Sequence, residues 1–211
     1  MKILFVSHCF TPAKDGVSQF FFQLVDGLGK KGAMVEVITS NRFSSDDFIN
    51  PKAKKITPAQ INFKKIKIHR LDVFSRGRRF FRFLEWLTKK DLFSTLRVGP
   101  LFKNTKTFFL KRDIDWVISG PFPTMAIFYG WLAAKTSQSK LAFIPCLHFE
   151  EKAHLNQFLL RLVNKADLIF ALTKAEKNFY RVYPGSRPGR QVRRHRARPC
   201  HIKPFGKSYG R

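Results

Sequence analysis

The stretch MKILFVSHCFTPAKDGVSQFFFQLVDGLGKKGAMVEVITS (Met1–Ser40) holds two short apolar runs separated by a segment of helical periodicity. Ile3 to Val6 is continuously apolar and short, as expected of a strand buried on both faces in a parallel sheet. Val17, Phe20, Phe21, Leu24, Val25 and Leu28 then recur at helical spacing, and Gly32 stands where such a helix would stop. Met34 to Ser40 reads as a second strand. Strand, helix and strand in this order make the βαβ unit of a parallel sheet.

The alternation continues outward from this unit. The polar stretch from Asn41 to Gln60 reads as a loop, with Pro51 and Pro58 as breakers. Lys65 to Leu71 alternates as a strand, Arg79 to Phe109 reads as helical in pieces, and Asp115 to Ser119 is a fourth strand. An apolar helix from about Thr124 to Lys135 and a strand from Leu141 to Cys146 follow, then a helix from about Glu151 to Lys165 and a strand from Leu168 to Leu172. In the Glu151–Lys165 helix Leu155, Phe158, Leu159, Leu162 and Val163 form one stripe. Glu150 and Glu151 lie at its start and Lys165 at its end, as the helix dipole favours. The final helix opens on Thr173-Lys174-Ala175-Glu176, a capping box in which Thr173 and Glu176 satisfy each other's backbone donors. Six strands alternating with helices predict a single doubly wound α/β domain with a parallel, Rossmann-like sheet. Such sheets bind ligands at the carboxyl ends of their strands, near the topological switch point.

Charge is distributed unevenly along the 211 residues, whose formal net charge is +26. Residues 1–180 hold 21 Lys and 9 Arg against all 14 acids, a net +16, while residues 181–211 hold 8 Arg, 2 Lys and no acid, a net +10. The break at about Arg181, with loss of apolar periodicity, predicts a domain over 1–180 and a basic, disordered tail over 181–211. Three widely separated cysteines do not make a disulfide framework, and the apolar run at the N-terminus is too short for a signal peptide, so a cytoplasmic setting is expected. The longest nearly apolar run, Met125 to Ala134, is shorter than the roughly 18 to 20 residues of a membrane span.

Candidate site residues lie where strands end. The loop after the first strand places Lys14, Asp15 and Gly16 just before a helix, where free backbone N–H groups favour an anion. It carries neither the dinucleotide fingerprint nor a Walker loop, and an ordinary strand-to-helix turn fits it equally. Ser119 and Gly120 open a second loop able to present backbone groups to substrate. His148, two residues past the fifth strand, is the candidate for acid, base or hydrogen-bond chemistry, with Glu150 beside it as a substrate-binding residue. No pair among Cys146, His148, Glu150, Glu151 and His154 has a zinc spacing, so no metal is expected. Cys9 and Cys146 read as buried small hydrophobes.

The segment from Ser75 to Val98 combines Arg76, Arg78, Arg79, Arg82, Lys89 and Lys90 with Phe80, Phe81, Phe83, Trp86 and Phe93. Such a helix either lies on an anionic membrane surface or buries its aromatics beneath a solvated basic face. Phe80, Phe83, Leu84 and Leu87 fall on one face, as core residues would, which favours burial.

Met1–Ser40, DWVISGPFPT (Asp115–Thr124), FIPCLHFEE (Phe143–Glu151) and ADLIFALTKAEKNFY (Ala166–Tyr180) together resemble the N-terminal domain of family-four glycosyltransferases, retaining enzymes of the GT-B fold. The resemblance spans Lys2 to about Tyr180. It implies sugar transfer from a nucleotide-sugar donor to a sugar or lipid-linked acceptor, without a further cofactor. In such enzymes this domain mainly receives the acceptor, and its first loop, here at Gly16, approaches the donor phosphates. The family usually has two adjacent glycines where this chain has Asp15-Gly16. His148 falls on the family's histidine that contacts the reacting sugar. The family's second domain, which grips the nucleotide with an Arg, a Lys and a Glu-x7-Glu motif, has no counterpart here. RVYPGSRPGRQVRRHRARPCH (Arg181–His201) stands in its place. The expectation is therefore a truncated glycosyltransferase with an out-of-frame tail, inactive unless a separate donor domain completes it. Its basic body would make peripheral contact with the anionic inner face of a membrane. The alternative expectation, from charge alone, is a polyanion- or nucleic-acid-binding protein acting through its basic surface and tail. No sequence-reading nucleic-acid motif supports it.

Overall fold

The computed structural model of the chain describes residues 1–63, 66–75, 78–146, 156–182 and 191–194. The opening stretch folds as β1 (Lys2–Ser7), α1 (Gly16–Lys30) and β2 (Met34–Ser40), with β1 and β2 parallel and Leu4 opposite Glu36. Gly32 takes φ +88° at the end of α1, a conformation that a side chain would disfavour. Next come β3 (Gln60–Phe63), β4 (Ile66–Leu71), α2 (Arg78–Thr88), α3 (Asp91–Val98), β5 (Trp116–Gly120) and α4 (Met125–Ser137). The chain continues with β6 (Lys140–Phe143), α5 (Gln157–Val163), β7 (Leu168–Ala171), α6 (Lys174–Val182) and β8 (Gln191–Arg194).

The eight strands form one sheet in the order β3-β4-β2-β1-β5-β6-β7-β8. Every pairing is parallel except β3 with β4. This is the doubly wound, Rossmann-like α/β domain expected from the sequence. Alternation along β1 divides the core in two. Ile3 and Phe5 join Phe21 and Val25 of α1 on one face of the sheet. Leu4 and Val6 join Met125, Ala126 and Tyr129 of α4 and Leu159 and Leu162 of α5 on the other.

Four expectations need correction. The sheet has eight strands rather than six, because Gln60–Phe63, at the end of the presumed loop, adds antiparallel to the free edge of β4. At the opposite edge Gln191–Arg194 pairs with Leu168–Ala171, so these four residues of the expected disordered tail are sheet; the open edge of β7 supplies the backbone partners that composition does not reveal. The helix expected from Glu151 is described from Gln157, where the Asn156 side chain accepts from the Leu159 N–H at 3.0 Å. Finally, the aromatic face of α2 is not core: Phe80, Phe83 and Leu87 are 60%, 54% and 60% exposed, and Trp86 is 73% exposed. α2 packs against α3 and turns this face outward.

The capping box is present as expected. The Glu176 N–H donates to Thr173 Oγ1 at 3.0 Å, while Glu176 Oε2 accepts from the N–H groups of Thr173, at 3.2 Å, and Leu172.

Candidate functional site at the carboxyl ends of the strands

β1 lies between β2 and β5, so the chain winds outward from it in both directions and leaves a crevice beyond its carboxyl end. The α1 N-terminus opens beside this crevice. Asp15 caps it: Oδ1 accepts from the Ser18 N–H at 2.9 Å and Oδ2 from the Ser18 hydroxyl at 2.6 Å. The Asp15 carboxylate is thus turned onto its own helix, where it satisfies an end donor and complements the dipole. The Lys14 carbonyl accepts from the Gln19 side chain at 3.0 Å. Gly16 faces open space, with nothing within 4 Å of where a Cβ would stand. A ligand can therefore reach its backbone, and α1 leaves first-turn N–H groups for it to meet.

The second predicted pair is held differently. Ser119 is fully buried, and its hydroxyl donates to the Ala126 carbonyl at 2.7 Å, tying β5 to α4. A Cβ on Gly120 would fall 2.3 Å from the Ile144 carbonyl oxygen and 3.0 Å from the Phe21 ring, so close packing accounts for this glycine. The structure brings both residues to the crevice floor but engages them inside the fold. His148 and Glu150 lie outside the described residues. Cys9 and Cys146 are buried, and burial pushes each thiol up to about 12, so both remain protonated and apolar in character.

Sequence reasoning missed His8. It directly follows β1, is 7% exposed, and stands edge-on to Phe48 at 6.3 Å between ring centres. Its Nδ1 has no hydrogen-bond partner among the described residues, and burial lowers its pKa to about 4 against the opposing pull of Asp15. The ring is neutral at physiological pH. Its place immediately after the first strand was the available signal; its burial depends on Phe48, forty residues further along.

Sequence reasoning also missed a basic rim beyond β2 and β4. Arg70, 5% exposed, donates to the Thr11 carbonyl at 2.9 Å and the Pro58 carbonyl at 3.1 Å, which pins the β1–α1 loop. Arg42, 3% exposed, donates to the Ala53 carbonyl. Among the described residues the Nε of each lacks a partner, as do Asn41 Oδ1 and the Ser75 hydroxyl. Among the described residues both guanidinium groups are held by carbonyls and neither pairs with a carboxylate, which makes this end of the sheet attractive to anions.

No known protein-family pattern matches the chain, and no curated protein matches it. Among solved structures it is similar to the sucrose-phosphate synthase of Thermosynechococcus elongatus, with a TM-score of 0.54 and 14% identity. The match covers 92% of this chain and 47% of the synthase, so the chain spans about half the length of that protein. At this identity the likeness is one of fold: a Rossmann-like α/β domain of the kind found in a glycosyltransferase.

Proposed function

We propose that the chain is the acceptor-side half of a glycosyltransferase that uses a nucleotide-sugar donor and works together with a donor-binding half. The observation that carries this reading is the α1 N-terminus, capped by Asp15 and led by Gly16 with open space above it, beside the β1/β5 switch point. A phosphate approaching there meets backbone N–H groups and the positive end of a fifteen-residue helix. The reading is also supported by the fold it shares with half of a sucrose-phosphate synthase. In it the Gly16 turn approaches the donor phosphates, His148 contacts the reacting sugar, and Glu150 and the loops after β1 and β5 hold substrate. Membership of family four is part of the same proposal and rests on the sequence resemblance.

A peripheral contact of α2 with an anionic membrane on the cytoplasmic side belongs to the proposal as well. It is supported by the outward face of Phe80, Phe83, Trp86 and Leu87, with Arg82, Lys89 and Lys90 exposed alongside. Among the described residues no helix is long and apolar enough to cross a membrane.

The test offers a panel of nucleotide sugars and acceptor saccharides to the chain with and without a complementing donor half, with products read by mass spectrometry. Transfer only in the combination supports the proposal. Robust transfer by the chain alone overturns the half-site reading. No transfer in any combination, together with no saturable acceptor binding to the chain, overturns the transferase reading.

A further inference from the structure

Beyond the ends of β2 and β4 lies a cleft of about 320 Å3 lined by Arg42, Lys55, Lys103 and Ser75, with Val73, Phe74 and Pro51 as its apolar wall. Three separate segments build it. The loop after β2 brings Arg42 and Lys55, and the Ile56 N–H donates to the Asn41 carbonyl at 2.9 Å to fold that loop back. Residues 72–75 leave β4 and meet residues 101–103 through a bridge between Val73 and Phe102. The Phe74 N–H donates to the Leu101 carbonyl at 2.7 Å and the Lys103 N–H to the Asp72 carbonyl at 2.9 Å.

The charge in the cleft is unbalanced. Among the described residues no acid lines it. A neighbouring carboxylate, Asp72, is shared by Lys55 at 3.0 Å, Lys103 at 4.0 Å and the Asn41 side-chain amide at 2.6 Å. Arg42 contributes a buried guanidinium whose Nε, among the described residues, has no partner, and Ser75 a buried hydroxyl in the same position. Two flexible ammonium groups, a planar guanidinium and a hydroxyl converging on one small volume match the several oxygens of a phosphate better than one carboxylate. The volume is at the lower end for small-molecule sites, which suits a compact phosphate monoester.

We propose that this cleft binds a phosphate group carried by a small molecule or a lipid head group. Binding itself does not depend on the transferase reading. Assigning the phosphate to the acceptor does rest on it, since the cleft lies at the same end of the sheet as the α1 N-terminus.

The test is titration of the full chain with inorganic phosphate and glucose 6-phosphate by calorimetry, and sedimentation with vesicles of 3:1 phosphatidylcholine and phosphatidic acid. Because Arg42 is buried and its loss threatens folding, the variant is Lys55→Gln with Lys103→Gln, both half-exposed. Lys135→Gln with Lys174→Gln controls for the overall positive charge. Saturable binding of glucose 6-phosphate, weakened at least tenfold in the first variant and unchanged in the control, supports the proposal with a soluble ligand. The same pattern confined to vesicles supports it with a lipid phosphate. No binding by the unaltered chain, equal binding by the Lys55/Lys103 variant, or equal losses in both variants overturns it. Loss of phosphate binding would leave the sugar-transfer assay to decide the transferase reading separately.

Discussion

Gly130 of α4 stands so close to Ser119 of β5 that a Cβ on Gly130 would lie 2.4 Å from the Ser119 Cβ and 2.6 Å from its hydroxyl oxygen. The approach lets the Ser119 hydroxyl reach the Ala126 carbonyl one helical turn earlier. Gly130→Ala gains helix propensity of about 1 kcal/mol but must push the helix off the strand, an overpacking cost of about 1–3 kcal/mol plus the strained hydrogen bond. The clash wins, and the variant is expected to lose about 2 kcal/mol, or roughly 4–8 °C in Tm for a chain of this size. Gly27→Ala in α1 is the contrast. Nothing lies within 4 Å of its Cβ position, so the propensity gain stands alone and Tm rises. Thermal unfolding of both variants checks the pair.

The junction of β7 and α6 gives a second prediction. Glu176 is buried and accepts from two backbone N–H groups, while Thr173 returns one bond. Thr173→Ala is expected to cost about 1 kcal/mol, as for other lost N-caps. Glu176→Ala leaves two donors without their acceptor and is expected to cost more, about 2–3 kcal/mol. Urea unfolding of the single and double variants reads the coupling, which is expected to be non-additive because the two side chains serve one cap.

Those two sites also mark what the sequence could reveal. The capping box was legible because all of its partners lie within five residues, as were β1, α1 and β2, whose periodicity is local. The environments of Ser119 and Gly120 were not, since Gly130, Ala126 and Ile144 reach them from other elements. β3 and β8 escaped because short edge strands are determined by the neighbouring backbone rather than by their own composition. Periodicity found the apolar stripe of α2 but could not say whether anything covers it. The cleft of Arg42, Lys55 and Lys103 was out of reach for the same reason as the His8 pocket: its parts come together only through the ends of β2 and β4.

His8 provides a pH-dependent prediction. Burial holds its folded-state pKa at about 4, below the ordinary 6.5, so between these values the unfolded chain binds the proton more readily. The neutral ring's contribution is fully present above pH 6.5 and is lost as pH falls toward 4, a change of roughly 3 kcal/mol at most. His8→Gln removes this titration. Urea unfolding at a series of pH values should show the unaltered chain losing stability relative to the variant across that window. Parallel pH profiles would show that the imidazole is not kept neutral by burial.

The outward face of α2 gives the last prediction. Phe83 and Trp86 are 54% and 73% exposed, so Phe83→Ser with Trp86→Ser removes little buried area and should change stability by no more than about 0.5 kcal/mol. On a bilayer the same rings would leave water, and Arg82, Lys89 and Lys90 would meet anionic head groups, each near contact contributing about 1 kcal/mol. The chain is therefore expected to sediment with vesicles of 3:1 phosphatidylcholine and phosphatidylglycerol, less so as salt is raised. The double variant should bind at least tenfold more weakly, because loss of about 1.4 kcal/mol suffices for that. Equal sedimentation of variant and unaltered chain would assign the attraction to general positive charge. Competition by RNA against vesicles would then favour the polyanion-binding alternative over a membrane-facing helix.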